Sequence, residues 1–245
     1  MIELALSIYI NKHTKKLIIL ISVSVLAALM TAFLIYASVF YRSEVNVAEI
    51  TNVTVEKVNE NYYLTPEEDF EIGIIFYPGN KIAAESYLPF LSRFAELGIL
   101  VVVVDMPYHL TLFGKNKAAS IIASYPSVDF YIMGHAEGGE AAARYAAKNP
   151  DLVKGLILLA SYSKYEVSVP ALSIYGTLDT VMDMDEYDAN EANLVSSTTI
   201  PLIGGNHSMY GDYGLQKGDT ETTLTITTLR TEIEVAVRAF IALTA

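Results

Sequence analysis

A succession of uninterrupted apolar runs constrains this chain more than any other feature: IGIIFY (Ile72 to Tyr77), ILVVVVD (Ile99 to Asp105), VDFYIM (Val128 to Met133), GLILLA (Gly155 to Ala160) and ALSIYG (Ala171 to Gly176). A strand with one wet face alternates apolar and polar residues, whereas a strand covered on both faces is apolar throughout. The runs therefore predict strands buried between two layers. Helical stretches separate them, over Ala83 to Leu97, Ala118 to Tyr125 and from the glycine-rich turn after Met133 to Asn149. An acidic helix over Asp183 to Leu194, a strand STTIPLIG (Ser197 to Gly204) and an amphipathic helix over Thr227 to Leu243 complete the pattern. Strands alternating with helices give an α/β fold, a mostly parallel sheet flanked by helices. A chain of 245 residues, 52% of them hydrophobic, has room for one such domain, placed at residues 67–245.

The amino-terminal part belongs to a different solvent. Leu17 to Tyr41 carries no charged residue and exceeds the roughly 20 residues that cross a bilayer as a helix. It predicts one transmembrane helix at residues 17–41, after a tail at 1–16. Lys12, Lys15 and Lys16 precede the span, while Arg42 is followed by Glu44 and Glu49. The positive-inside bias therefore keeps the tail in the cytoplasm and puts the domain on the extracytoplasmic side of the cell membrane. A cleaved signal peptide is the competing reading, although its apolar core is usually about 7–15 residues. Residues 42–66 read as a tether with edge strands, VTVEKV (Val53 to Val58) having the two-residue period of a half-buried strand.

Charge and composition exclude some classes of function. A formal net charge of −12 argues against a nucleic-acid partner, which requires a positive surface that releases counterions. With no cysteine there is no disulfide framework, thiolate metal site or cysteine nucleophile. The acidic group Asp183, Asp185, Glu186 and Asp188 lacks the glycine of a calcium loop and reads as a solvated helix face. No metal and no cofactor is expected.

The chemistry concentrates in MGHAEGGEAAARYA (Met133 to Ala146). Gly134, Ala136 and Gly138 occupy the fixed positions of the G-x-S-x-G nucleophile elbow, with alanine where that pattern has serine. A strand leads in and a helix leads out, as such a turn requires. An acid and a histidine follow in the matching order. Asp179 stands in SIYGTLDTV after a strand end, with Asp183 as its alternative, and His207 stands in IGGNHSMYGDYG after the last strand.

Together with FYPGNK (Phe76 to Lys81), MPYHLTLFGKNKA (Met106 to Ala118) and GGNHSMYGDYGLQKGD (Gly204 to Asp219), these segments resemble the α/β-hydrolase superfamily, in particular a small bacterial branch without a large cap. The resemblance runs from about Ile72 to the end of the chain. It implies hydrolysis of a carboxylic ester or related acyl substrate, with His207 as general base and Asp179 orienting it. The oxyanion hole would use the backbone N–H of Glu137 and that of Asn80 or Lys81. Ala136, at the nucleophile position, has no hydroxyl and cannot form an acyl-enzyme, so the chain is expected to be inactive or very weak.

Other readings compete. Glu137 or Glu140 could be a replacement carboxylate that activates water with His207, but a carboxylate at Glu137 would point away from the turn and its charge would oppose the negative charge that develops at the oxyanion. Ser208 is adjacent to His207 in sequence and is poorly placed to present its hydroxyl to that ring. Tyr108 to Phe113 and Ser161 to Val167 are expected to wall a partly open cleft for a small acyl ligand. The alternative function is a non-catalytic binding or scaffold protein that uses the same cleft.

Overall fold

The computed structural model describes the backbone of residues 2–245 and side chains from residue 14 on. The side chain of Lys12, one of the lysines of the predicted tail, therefore lies outside what is described. The chain separates into two compact units, one ending at Val39 and the other spanning Phe40–Ala245.

The first unit is a single helix, α1 (Ile2–Ser38). Its stretch Thr14–Ser38 is long and apolar enough to span a membrane. The predicted span ran on to Tyr41, but Val39–Tyr41 is not helical. Tyr41 instead forms a parallel bridge with Ile82, so a tertiary pairing overrides an apolar sequence.

The second unit is built on one eight-stranded sheet in the order β1-β2-β4-β3-β5-β6-β7-β8. The antiparallel pair β1 (Thr54–Val58) and β2 (Asn61–Thr65) forms one edge, and β2 pairs antiparallel with β4. The remaining strands are β3 (Ile72–Tyr77), β4 (Leu100–Val103), β5 (Asp129–His135), β6 (Gly155–Leu159), β7 (Ala171–Gly176) and β8 (Ser197–Leu202). Their mutual pairings are all parallel. The apolar runs become the buried strands β3 to β7. The edge strand β8 is largely exposed and carries Pro201, tolerated where one side of the ladder needs no donor.

Two layers of helices cover this sheet. Residues of α2 (Leu88–Ala95) and α7 (Ile226–Thr244), including Phe90, Phe94, Ile233 and Val237, pack with Ile74 and Phe76 of β3. On the opposite face Ile75 and Tyr77 pack with α4 (Ala118–Ser124) and the alanine-rich α5 (Glu137–Lys148). Successive β3 residues enter opposite cores, as the two-residue period of a strand demands. Two helices differ from expectation. Ala84–Tyr87 forms a tight 3-10 turn before α2 starts, with Pro89 in the first helical turn where its missing N–H costs nothing. The acidic stretch makes a short α6 (Met184–Asn190), capped by the Asp183 side chain on the Glu186 N–H. A one-turn helix α3 (Thr111–Gly114) appears within the predicted cleft wall.

Candidate active site

Parallel strands deliver the ends of β3, β5, β7 and β8 to one edge of the sheet, where ligands bind in open α/β folds. At the end of β5 the chain turns sharply into α5. Ala136, the turning residue, has φ 49° and ψ −125°, a conformation that residues with a Cβ adopt only under strain. Packing holds it there. A Cβ on Gly134 would lie 2.4 Å from the Gly138 carbonyl oxygen, and one on Gly138 would lie 2.1 Å from the Tyr77 carbonyl oxygen. The absence of both side chains lets helix and strand meet. The Ala136 N–H donates to the Leu159 carbonyl at 3.1 Å, and Ser161 Oγ donates to the Ala136 carbonyl at 2.7 Å.

The predicted acid and histidine meet at this edge. His207 Nδ1 lies 2.8 Å from Asp179 Oδ2, and both side chains are buried. The other Asp179 oxygen, Oδ1, accepts the N–H groups of Val181 and Met182 at 2.9 and 2.8 Å, which fixes the carboxylate. A carboxylate acceptor at Nδ1 requires the proton there, leaving the His207 Nε2 lone pair available to take a proton. Asp183, the alternative acid, caps α6 instead. Ser208 is held away in its own network. Its Oγ donates to Asp219 Oδ2 at 2.6 Å, while Asp219 also accepts the backbone N–H groups of His207 and Ser208.

Of the predicted oxyanion donors, Glu137 is the first residue of α5, where helical N–H groups have no partner within the helix. The Lys81 N–H donates to the His109 carbonyl at 2.6 Å, which engages that donor and leaves Asn80 as the candidate of the pair. Asn80 is itself fixed through Oδ1, which accepts the Thr111 N–H at 2.8 Å. Ala136, Glu137 and His207 line one cleft of roughly 180 Å³ together with Glu140, Tyr162 and Met182. Ser161 and Tyr162 of the predicted wall border it, while Leu112 of the other wall lines an adjoining groove that shares Glu137 and Glu140. Among the described residues no cluster of histidine and carboxylate side chains could hold a metal ion.

Sequence reasoning did not single out His135, the residue before the elbow. It is fully buried, with Nε2 3.1 Å from the His207 carbonyl oxygen and Nδ1 2.9 Å from the Tyr87 hydroxyl. A carbonyl can only accept, so Nε2 carries the proton and Tyr87 donates to Nδ1. The Tyr87 hydroxyl in turn accepts the Gly79 N–H at 3.2 Å. Burial, and next the neighbouring His207, hold the His135 pKa well below the usual histidine range, in keeping with a neutral ring. This chain of bonds ties the loop before Asn80 to the backbone of His207. Its only sequence signal is a histidine ending an otherwise apolar strand.

The sequence matches the Alpha/beta hydrolase family over residues 73–231, and the chain belongs to that family. No curated protein matches it by sequence. Among solved structures it is similar to a thermophilic esterase from the planctomycete Thermogutta terrifontis, at 14% identity and TM-score 0.57, over 80% of this chain and 95% of that one. It is likewise similar to TT1662 from Thermus thermophilus, at 15% identity and TM-score 0.57, covering 77% and 98%. Est1E from Butyrivibrio proteoclasticus matches at 14% identity and TM-score 0.56, covering 78% and 100%. At these identities the likeness is one of fold.

Proposed function

We propose that this protein is a membrane-anchored hydrolase-fold protein for a carboxylic ester or related acyl substrate, complete in its site except for the attacking hydroxyl. His207 is the general base position, Asp179 its orienting carboxylate and residue 136 the nucleophile position; the N–H groups of Glu137 and Asn80 face the oxyanion. The observation that carries this reading is the buried 2.8 Å His207–Asp179 pair, whose ring lines the same cleft as the strained Ala136. A histidine with its Nδ1 proton on a carboxylate has a free Nε2 with nothing to deprotonate while residue 136 is alanine. The chain as given is therefore expected to bind acyl ligands and turn them over feebly or not at all.

The test compares hydrolysis of short-chain aryl esters by the chain as given, by Ala136→Ser and by Ala136→Ser with His207→Ala. Loss of a triad serine typically removes about a million-fold in kcat, so activity is expected in the serine variant alone. A folded but inert Ala136→Ser protein would instead favour the binding-protein reading, whose support is Ala136 itself. Equal activity in the chain as given, lost with His207→Ala, would mean that water attacks directly.

The anchor reading rests on the apolar helix Thr14–Ser38, and the sidedness on Lys12, Lys15 and Lys16 before it. Protease added to sealed right-side-out membranes is expected to digest the domain. Protection that vanishes on lysis would reverse the orientation.

A further inference from the structure

The segment that follows the helix is built into the loops of the candidate site. The Tyr41 N–H donates to the Lys81 carbonyl at 2.7 Å, and the Ala83 N–H donates to the Tyr41 carbonyl at 3.0 Å. On its other side the Tyr41 hydroxyl accepts the Lys217 N–H at 2.9 Å, and the Glu44 N–H donates to the Asp212 carbonyl at 3.0 Å. The same segment thus grips the loop that carries Asn80 and the loop that follows His207. Only Val39 and Phe40 stand between Ser38, the last helical residue, and Tyr41. So short a piece of chain extends no more than about 11 Å.

Next to this segment the surface turns apolar. The Phe40 ring stacks on His109 with centroids 3.9 Å apart, and Tyr108 and Phe113 meet edge to face at 5.7 Å. Leu112 is 64% exposed, Tyr108 52% and Phe113 47%. Large apolar side chains grouped in this way mark an interaction surface, unlike single ones scattered elsewhere. Its charge differs from that of the rest of the chain. Residues 106–128 include no acidic residue in a protein that has 28; Lys115 follows the apolar group and Arg42 lies over the Phe40 ring at 5.0 Å, while the Lys117 ammonium is held by the Asp105 carbonyl at 2.6 Å. Apolar side chains bordered by cations suit a phospholipid surface, where the chains enter the acyl boundary and the cations meet phosphates. A polar groove of about 310 Å³, with Leu112, Lys115 and Arg144 in its wall and Glu137 and Glu140 shared with the cleft, lies between this surface and the site.

We propose that the rim formed by Tyr108, Leu112 and Phe113 rests on the lipid surface of the membrane that holds the N-terminal helix. The proposal rests on the anchor reading given above. Chain connectivity limits how far Tyr41, and the Phe40–His109 contact beside the rim, can stand from the end of the helix.

The chain has no cysteine, so single cysteines report unambiguously. The full chain is reconstituted in phosphatidylcholine vesicles with an environment-sensitive fluorophore on Leu112→Cys, and separately on Tyr108→Cys. Val195→Cys, 63% exposed, serves as reference. Expected are a blue-shifted emission and strong quenching by nitroxide-bearing lipids at 112 and 108, at a depth of about 5–10 Å below the headgroups, with neither at 195. Vesicle-bound protein with solvent-like emission at 112 and 108 would overturn the proposal while leaving the anchor intact. A blue shift without nitroxide quenching would also overturn it, by assigning the rim to a second protein copy. Release of the chain from vesicles by carbonate would overturn the anchor first, and the proposal with it.

Discussion

Replacing Ala136 with glycine is expected to stabilise the protein, contrary to the usual effect of such a change inside a helix. Ala136 has φ 49° and ψ −125°, and a non-glycine residue outside the populated regions costs of order 1–3 kcal/mol. Glycine removes that cost. Against it stand the greater freedom of glycine in the unfolded chain, about 0.4–1 kcal/mol, and the loss of one half-buried methyl group, worth less than about 0.8 kcal/mol. Taking the middle of each range leaves a net gain of about 1 kcal/mol. For a domain of this size that gain raises Tm by roughly 2–4 °C. The assay is thermal unfolding of the full chain in detergent, followed by circular dichroism, with Ala141→Gly inside α5 as reference. Ala141→Gly is expected to lower Tm, because glycine in a helix interior costs about 1 kcal/mol. A Tm for Ala136→Gly lowered as far as that of Ala141→Gly would refute the claim that the elbow stores strain.

Other outcomes follow from the same geometry. Gly138→Ala is expected to prevent normal folding or lower Tm severely, since its Cβ would meet the Tyr77 and Pro78 carbonyl oxygens at 2.1 and 2.3 Å; near wild-type unfolding would mean that α5 and the β3 loop are not in such close contact. In the Ala136→Ser background, Asp179→Asn is expected to lower kcat by about 10⁴, the effect of losing the orienting carboxylate in a serine triad; a drop smaller than tenfold would show that Asp179 does not hold the ring. Burial lowers the folded-state pKa of His135, so its contribution to stability is complete above the unfolded histidine value of about 6.5 and is lost as pH falls below it. His109 is lowered in the same direction, while burial raises Asp105, which acts in the opposite sense. Urea unfolding between pH 7 and pH 5 is expected to lose stability with falling pH, and a folded His135→Gln variant to lose less; identical pH slopes would remove His135 as a buried neutral group.

The sheet was legible because burial on both faces writes itself into sequence as unbroken apolar runs, and β7 falls where ALSIYG predicts it. Element ends were less legible, since they depend on partners elsewhere: the end of the apolar helix depends on the pairing of Tyr41 with Ile82. The acid and histidine stood out through their order after the elbow, but the choice between Asp179 and Asp183 needed three-dimensional knowledge of which one caps α6. His135 and Asp219 went unnoticed for the same reason. Each acts on the backbone of His207 from 72 or 12 residues away, and no local pattern records that distance. The engagement of Lys81 by His109 was equally invisible, as both partners are main-chain atoms.

The proposed site lacks one hydroxyl and nothing else. The most direct measurement is intact-mass analysis after exposure to a serine-directed phosphonate, with peptide mapping to locate any adduct. This reagent requires a hydroxyl activated by a neighbouring base, with oxyanion donors to hold the product. No adduct is expected on the chain as given, one adduct on residue 136 of Ala136→Ser, and none when His207→Ala is added. A folded Ala136→Ser protein that stays unlabelled, or a label on the chain as given at any other serine, would contradict this expectation.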